Sequence, residues 1–377
     1  MQYLDYDKTK IKWEGESPIN KTFLVAPMGI ESPIMIFDAS GKLLRQTKTN
    51  GFPAHFVQLD DLSGYSYFSG RIHVGKTAEP GHQANGRYTV GKLYITDNNL
   101  ETKKIIDYIP TELTSNAIGL HMHGNYVLDK EHYLLQIISM EEVLIDSKPS
   151  YVVNCILQEQ LNGEVVWEWQ SIDYPELFKA SFARNNYFDK DVINKKYACD
   201  YAHMNSVIKT SDNQYMYISF KHIGIVKIDY KTKNIIWIIG PNAKTHIKLP
   251  NNAIQFAHQH DLHLIDDNTF YFWDNEHFCY TELRITDNKV THYKSIPYPT
   301  KCNLAVMGNA LKVSDSIVDI CYGLRNPLLP HIYLQPIISE FDLNTGKKLM
   351  ELTIYDKSDE LVNIMYQVNR GVNIYED

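Results

Sequence analysis

The feature that most restricts what this chain can fold into is a short repeat. A β-rich run ends at an acidic residue, a turn with Gly or Asn follows, and a second β-rich run begins. It appears first as Ile36-Phe37-Asp38-Ala39-Ser40-Gly41-Lys42-Leu43-Leu44 and returns around Asp97, Glu159, Asp229, Asp287 and Asp342. The acidic positions 38, 97, 159, 229, 287 and 342 are spaced by 59, 62, 70, 58 and 55 residues. Each interval has the length of four short strands with their turns, which is the signature of a propeller blade. Asp, Asn and Gly at the turns supply a positive φ or an Asx-turn. The repeat predicts an all-β chain: a six-bladed β-propeller with four antiparallel strands per blade, a single domain over residues 1–377.

The inner half of each blade can also be read. Residues 203–209 form a strand, Ser211-Asp212-Asn213 a turn, and residues 214–220 the next strand. Residues 260–265 and 269–273 repeat this around the turn 266–268, and residues 123–128 and 133–138 repeat it around Asp129-Lys130. The second blade starts at His55 and the sixth near Gly308. The first lacks an inner strand, since the chain enters at residues 21–27. The C-terminal segment 365–375 is expected to supply it, so that the two termini close the ring and remove an exposed edge. The longest gap, residues 174–199, reads as a loop and helical insertion on the surface, or as a lid, because it runs directly into His203.

Composition narrows the function classes. The 26 tyrosines suit pleated surfaces. A net charge of -8 without any Lys/Arg-rich stripe argues against a nucleic-acid partner, and none is expected. Five cysteines (Cys155, Cys199, Cys279, Cys302 and Cys321) are odd in number and never spaced C-x-x-C, which argues against a disulfide framework or a structural zinc site. No apolar stretch is long enough to span a membrane. The first residues lack the basic and apolar regions of a signal peptide. As it stands the sequence is expected to be cytoplasmic, and periplasmic if a leader has been removed.

Of the 15 histidines, His55, His123, His203 and His260 each open the inner strand of successive blades. Inner strands line a propeller's channel, so these imidazoles are expected to converge. Convergent imidazoles bind transition metals, transfer protons, or act as covalent nucleophiles. The pairs His121-x-His123 and His258-x-His260, with Asp200, Asp261 and Asp274 as carboxylates, are the candidates for a metal. The preferred reading has neither metal nor cofactor.

Three segments resemble motifs of the bacterial arylsulfate sulfotransferase family. Asp200-Tyr-Ala-His203-Met-Asn205-Ser206 is similar to the family's D-W-x-H-x-N-S. Ile218-Ser219-Phe220-Lys221-His222, with Ile235-Ile-Trp237-Ile-Ile-Gly240, is similar to S-x-R-H and I-x-W-I-L-G. Phe256-Ala-His-Gln259-His260-Asp261, followed by Phe272-Trp-Asp274-Asn275, is similar to Q-H and F-D-N-G. Order and spacing agree from Asp200 to Asn275, and the segment beginning His123-Gly-Asn-Tyr is a looser match. The resemblance implies a six-bladed propeller that moves a sulfuryl group from an aryl sulfate to a phenol without a nucleotide donor. It implies that His260 is the nucleophile, transiently sulfated on a ring nitrogen, and that His123, His203 and Asn205 surround the sulfuryl oxygens or assist proton transfer. Lys221 stands where the family has Arg and offers a point charge instead of a planar fork. His222 and Gln259 beside these positions, and His55 by repeat position, are the expected substrate contacts. The family's usual extra N-terminal β-domain has no counterpart ahead of Lys21, so a monomer is expected, with a homodimer as the alternative. Two other functions fit the same fold: a propeller that binds ligand without catalysis, and a metal-dependent hydrolase or lyase built on the channel histidines.

Overall fold

The structure is a computed structural model that describes residues 10–27, 32–78, 86–242, 245–251, 253–297, 308–322, 338–355, 365–372 and 374; Cys302 lies outside these residues. The chain divides into two compact units. The first comprises residues 1–71, 91–106 and 298–377, the second residues 72–90 and 107–297. Both are built almost wholly of antiparallel strands in propeller-like sheets. No helix among the described residues is long and apolar enough to cross a membrane.

In the first unit, Thr22–Pro27, Pro33–Phe37 and Leu43–Lys48 form a meander, and the C-terminal strand Met365–Gly371 pairs with the first of them, Thr22 opposite Gly371. This is the inner strand expected from the C-terminus. Thr22–Pro27 and Pro33–Phe37 are buried on both faces, whereas Leu43–Lys48 is half exposed. Alternation explains this: Phe23, Val25, Met35 and Phe37 pack with Cys321, Ile338, Met350 and Leu352, while Leu24, Ala26, Ile34 and Ile36 pack with Phe56, Tyr65 and Tyr67. A second sheet runs Asn309–Lys312, Ile317–Cys321, Ile338–Asp342, Lys348–Tyr355. Lys10–Gly15 adds a fifth strand on its outer edge, which the repeat does not foretell.

The C-terminal strand carries a buried ion cluster. Arg370 donates through Nε to Asp319 Oδ2 at 2.6 Å, and through Nη2 to Asp319 Oδ1 at 3.1 Å and to Glu340 Oε2. Its guanidinium lies 3.2 Å over the Phe23 ring, and Ser17 Oγ donates to Glu340 at 2.8 Å. Both carboxylates are fully buried. Burial, and then the Asp319 charge, push Glu340 up to about 7 against the pull of Arg370.

The second unit contains two sheets of four strands. Met204–Lys209, Tyr215–Phe220, Gly224–Asp229 and Ile235–Ile239 form one; Gln259–Asp266, Thr269–Asp274, Cys279–Thr286 and Lys289–Pro297 form the other. Met216, Ile218 and Phe220 face a core with Leu157, Trp167 and Trp169, while Tyr217 faces Phe270 and Phe272 on the other side. The insertion forms the short helices Pro175–Ala180 and Lys190–Ile193 with a 3-10 turn, Phe182–Asn186, between them. Leu177, Phe178, Tyr187 and Val192 anchor it in the same core.

The expectation of six separate blades is corrected. Among the described residues four blade-sized sheets are present, and one ten-stranded sheet takes the place of the second and third blades. The strands concerned are long: Gly64–Ala78 has 15 residues, Gly86–Asp97 has 12, and His132–Ile145 and Lys148–Leu161 have 14 each. They overrun a four-stranded meander, and Ala117–His121 and Ala198–Cys199 join them laterally. The wider spacing of the repeat in this region is thus taken up by strand length as well as by the insertion.

Two local readings also change. The Asx-turn holds at Asp38, Asp97, Asp229 and Asp342, whose Oδ1 atoms accept backbone N–H bonds from the turn. Glu159 is instead buried inside a strand, where it accepts from Lys209 at 2.9 Å, His132 at 2.6 Å and Tyr230 at 2.8 Å. The predicted strand over residues 123–128 is broken: His123 occupies a bend, and strand pairing resumes only at Tyr126–Asp129. Cys155, Cys199, Cys279 and Cys321 are buried thiols.

Candidate functional site

The inner strands carry histidine on irregular backbone. His203 has φ +52 and immediately precedes Met204–Lys209, whose register shifts between Met204 and Ser206. His260 sits in Gln259–Asp266, whose register shifts between His260 and His263; His258 and Asp261 on either side have φ +52 and +54. A left-handed residue other than glycine costs about 1–3 kcal/mol and persists only where its surroundings enforce it. A bulge rotates the strand locally and re-aims its side chains. In the first unit His55 shows the same habit, with φ +51 and a register shift between Ala54 and Val57.

In the second unit these irregularities bring imidazoles into a row. Ring centroids lie 5.1 Å apart for His260 and His123, 5.5 Å for His123 and His203, 5.9 Å for His203 and His222, and 6.0 Å for His222 and His258. His121 flanks the row, 4.7 Å from His123 and 6.0 Å from His203. Tyr88 packs beside His121 and His203. Phe182, on the insertion, closes the far end against His222 and His258 at 5.1 and 5.4 Å.

Hydrogen bonds interlock the segments that bear the row. Asn205 Nδ2 donates to the Gln259 carbonyl at 2.6 Å, fixing the peptide that leads into His260. Gln259 Nε2 donates to the Phe220 carbonyl at 2.7 Å, one residue before Lys221. The Lys221 and His222 N–H groups donate to the carbonyls of His203 and Ala202. Asn125 holds the bend, donating to the carbonyls of His121 and His123 while its Oδ1 accepts from Gln136 N. Gln136 Nε2 reaches the Met204 carbonyl at 2.9 Å.

Asp200 Oδ2 lies 2.6 Å from His203 Nδ1 and is almost fully buried. A carboxylate accepting the Nδ1 proton fixes the ring's orientation and turns Nε2 away from itself as the working nitrogen. His222 is buried, and neither ring nitrogen has a hydrogen-bond partner. Burial pushes it well below the ordinary imidazole range, with Asp200 opposing and Lys221 reinforcing the shift. The Oδ1 of Asn205 and the Oε1 of Gln259 are likewise buried without partners.

Of the residues singled out from sequence, His123, His203, His222 and His260 stand in the row, and Asn205, Gln259 and Lys221 stand in its scaffold. His55 is buried in the first unit. Among the carboxylates named for a metal, Asp200 joins the row, whereas Asp261 binds His263 at 2.7 Å and Asp274 binds His277 at 2.9 Å and caps the adjoining loop. Tyr88 and Phe182 were missed. Nothing in the sequence around Tyr88 marks it; the only signal for Phe182 was the insertion that leads into His203.

The arrangement offers a row of imidazole nitrogens, buried at His123, His222 and His260 and partly exposed at His203 and His258, with one ring oriented by a carboxylate. No protein of curated function matches the chain. Among solved structures, a protein of unknown function from Bacteroides caccae is similar at 10% identity, covering 93% of this chain and 99% of that one with a TM-score of 0.53. The β-propeller domain of Myceliophteria_thermophila Cps50 (Swd1) is similar at 10% identity, covering 95% and 99% with a TM-score of 0.44. The first of these speaks to fold alone, and the second is too loose to carry an argument. The Arylsulfotransferase (ASST) family matches residues 21–295, a span that contains every imidazole of the row. The chain belongs to the arylsulfotransferase family.

Proposed function

We propose that the protein transfers a sulfuryl group from an aryl sulfate to a phenolic acceptor through a sulfated His260, with no nucleotide donor. The observation that carries this reading is the sequence of rings His260, His123, His203 at 5.1 and 5.5 Å, with Asp200 behind His203. In the first half-reaction, a His260 ring nitrogen forms a bond to sulfur as the bond from sulfur to the aryl oxygen breaks. The aryl oxygen leaves with the electron pair and takes a proton from His203. In the second, the acceptor phenol gives its proton to His203 and its oxygen attacks sulfur. The N–S bond breaks and its pair returns to His260. Charge that gathers on the three equatorial sulfuryl oxygens is met by N–H donors, for which His123 and Lys221 are the candidates, as in phosphoryl transfer. Asn205 acts by holding the Gln259–His260 peptide. His222 and Gln259, each with a buried polar atom lacking a partner, are the candidate contacts to donor or acceptor.

The test is nitrophenol release from p-nitrophenyl sulfate with and without phenol, together with mass spectrometry after donor alone. Acceptor-dependent release and a single SO₃ adduct on His260 are expected. An adduct on another residue would remove His260 from its role. Tight binding of aryl sulfates without turnover would leave a binding protein in place of an enzyme.

A further inference from the structure

We propose that Asp200, His203 and His222 form a binding site for a divalent first-row transition cation of the zinc class. Each residue offers one ligand atom, and the three atoms lie within 4.8 Å of one another. Among the described residues this is the one group of three or more histidines, cysteines and carboxylates so disposed. A tetrahedral cation with bonds of about 2.0–2.2 Å sets its donors about 3.3–3.6 Å apart, so side-chain shifts of about 1 Å bring the three donors into range.

A second observation points to a ligand. His222 is fully enclosed, and both its nitrogens lack a hydrogen-bond partner. A buried imidazole in that state forfeits the hydration of both nitrogens and makes no hydrogen bond within the chain in return, a cost that an external partner would offset. Its neutral form is the one a cation binds. The supporting backbone is also that of a preorganised site. The His222 N–H is tied to the Ala202 carbonyl, the Lys221 N–H to the His203 carbonyl, and the His222 carbonyl accepts from Phe182 N. His203 and His222 are therefore held at a fixed separation by their main chains.

Two imidazoles and one carboxylate suit zinc, cobalt, nickel or ferrous iron and are poorly matched to calcium or magnesium, which take all-oxygen shells. Three protein ligands leave at least one position open, the pattern of catalytic rather than structural sites. An oxygen of an anionic substrate is the chemistry that fits there. Cation binding at these residues stands independently of sulfuryl transfer.

The test uses the full chain after chelator dialysis, titrated with Zn²⁺ and with Co²⁺. The expected result is one equivalent per chain by elemental analysis and visible Co²⁺ absorption of four- or five-coordinate strength. His222→Gln and Asp200→Ala are each expected to weaken binding about 100-fold or more, with His292→Ala unchanged. In case a variant fails to fold, ring ¹⁵N resonances of the wild-type protein give a second readout: those of His203 and His222 shift on adding Zn²⁺ and that of His292 does not. Absence of stoichiometric binding of either metal overturns the proposal, as does His222→Gln with wild-type affinity or shifts confined to other histidines. Cation binding without aryl-sulfate turnover would uphold this site and defeat the sulfuryl-transfer reading; turnover in metal-free protein that takes up no cation would do the reverse.

Discussion

Around Arg370 in the first unit, buried charges spend most of their hydrogen-bonding capacity on one another, Glu340 Oε1 being the oxygen left without a partner. Around His203 in the second, more capacity is left over. Arg370 meets Asp319, Glu340, the Lys21 carbonyl and the face of Phe23, and Ser17 completes the set. In the histidine row both nitrogens of His222 and single oxygens of Asn205 and Gln259 find nothing in the chain, although their neighbours are tightly bonded. Buried polar groups are normally satisfied, and a cluster of exceptions beside well-bonded neighbours calls for an explanation. The Arg370 cluster ties the C-terminal strand to the neighbouring sheet that holds Asp319 and Glu340; on the function proposed above, the histidine row receives a ligand.

That contrast can be broken by substitution. The largest effect is expected from His260→Gln: acceptor-dependent nitrophenol release falls by about 10⁴-fold or more, while the thermal midpoint moves little. A rate within tenfold of wild type would undo the assignment of the row to catalysis. Arg370→Met is expected to do the opposite. It strands two buried carboxylates and lowers stability by about 3–5 kcal/mol, measured by urea unfolding, while kcat per folded molecule stays within about twofold. A parallel loss of kcat would show that the two clusters are not separable. Asp200→Asn is expected to reduce kcat by about 100-fold with little change in Tm, since it loosens the orientation of His203 without emptying the core; an unchanged kcat would leave Asp200 with only the cation-binding role.

The smallest effect concerns pH. Glu340 is raised from 4.5 to about 7, so between those values the folded chain holds a proton that the unfolded chain has released. Stability therefore falls as pH rises through that window, by an amount on the order of 2 kcal/mol. Glu340→Gln should flatten this slope, read from urea midpoints at pH 5 and pH 8. A slope that survives the substitution would assign the proton elsewhere in the cluster.

Much of this was legible from sequence because it is local or periodic. The turn aspartates at 38, 97, 229 and 342 announce themselves through neighbours two to four residues away. The strands read at His203 and His260 are found, as Met204–Lys209 and Gln259–Asp266. The C-terminal strand was inferred from the missing partner of Thr22–Pro27 and is found there. The errors fall where long-range pairing overrides local pattern. Glu159 occupies a repeat position, yet burial beside Lys209, 50 residues away, makes it an ion-pair residue. His123 should open a strand, but the Asn125 side chain holds its segment in a bend. The second and third blades have the right spacing, yet their strands continue past the expected ends and merge.

The sequence by itself determined the all-β class, the turns at Asp38, Asp97, Asp229 and Asp342, the family motifs and the candidacy of His123, His203 and His260, because these depend on residue type and on spacing along the chain. Only the tertiary structure decided that blades two and three share one sheet. It alone decided that Asp200 is the carboxylate beside His203 while Asp261 and Asp274 serve other histidines, and that His222 is buried without a partner. Which polar atoms remain unsatisfied is a sum over neighbours brought from distant strands, and hydrogen bonds act over about 3 Å of space irrespective of separation along the chain.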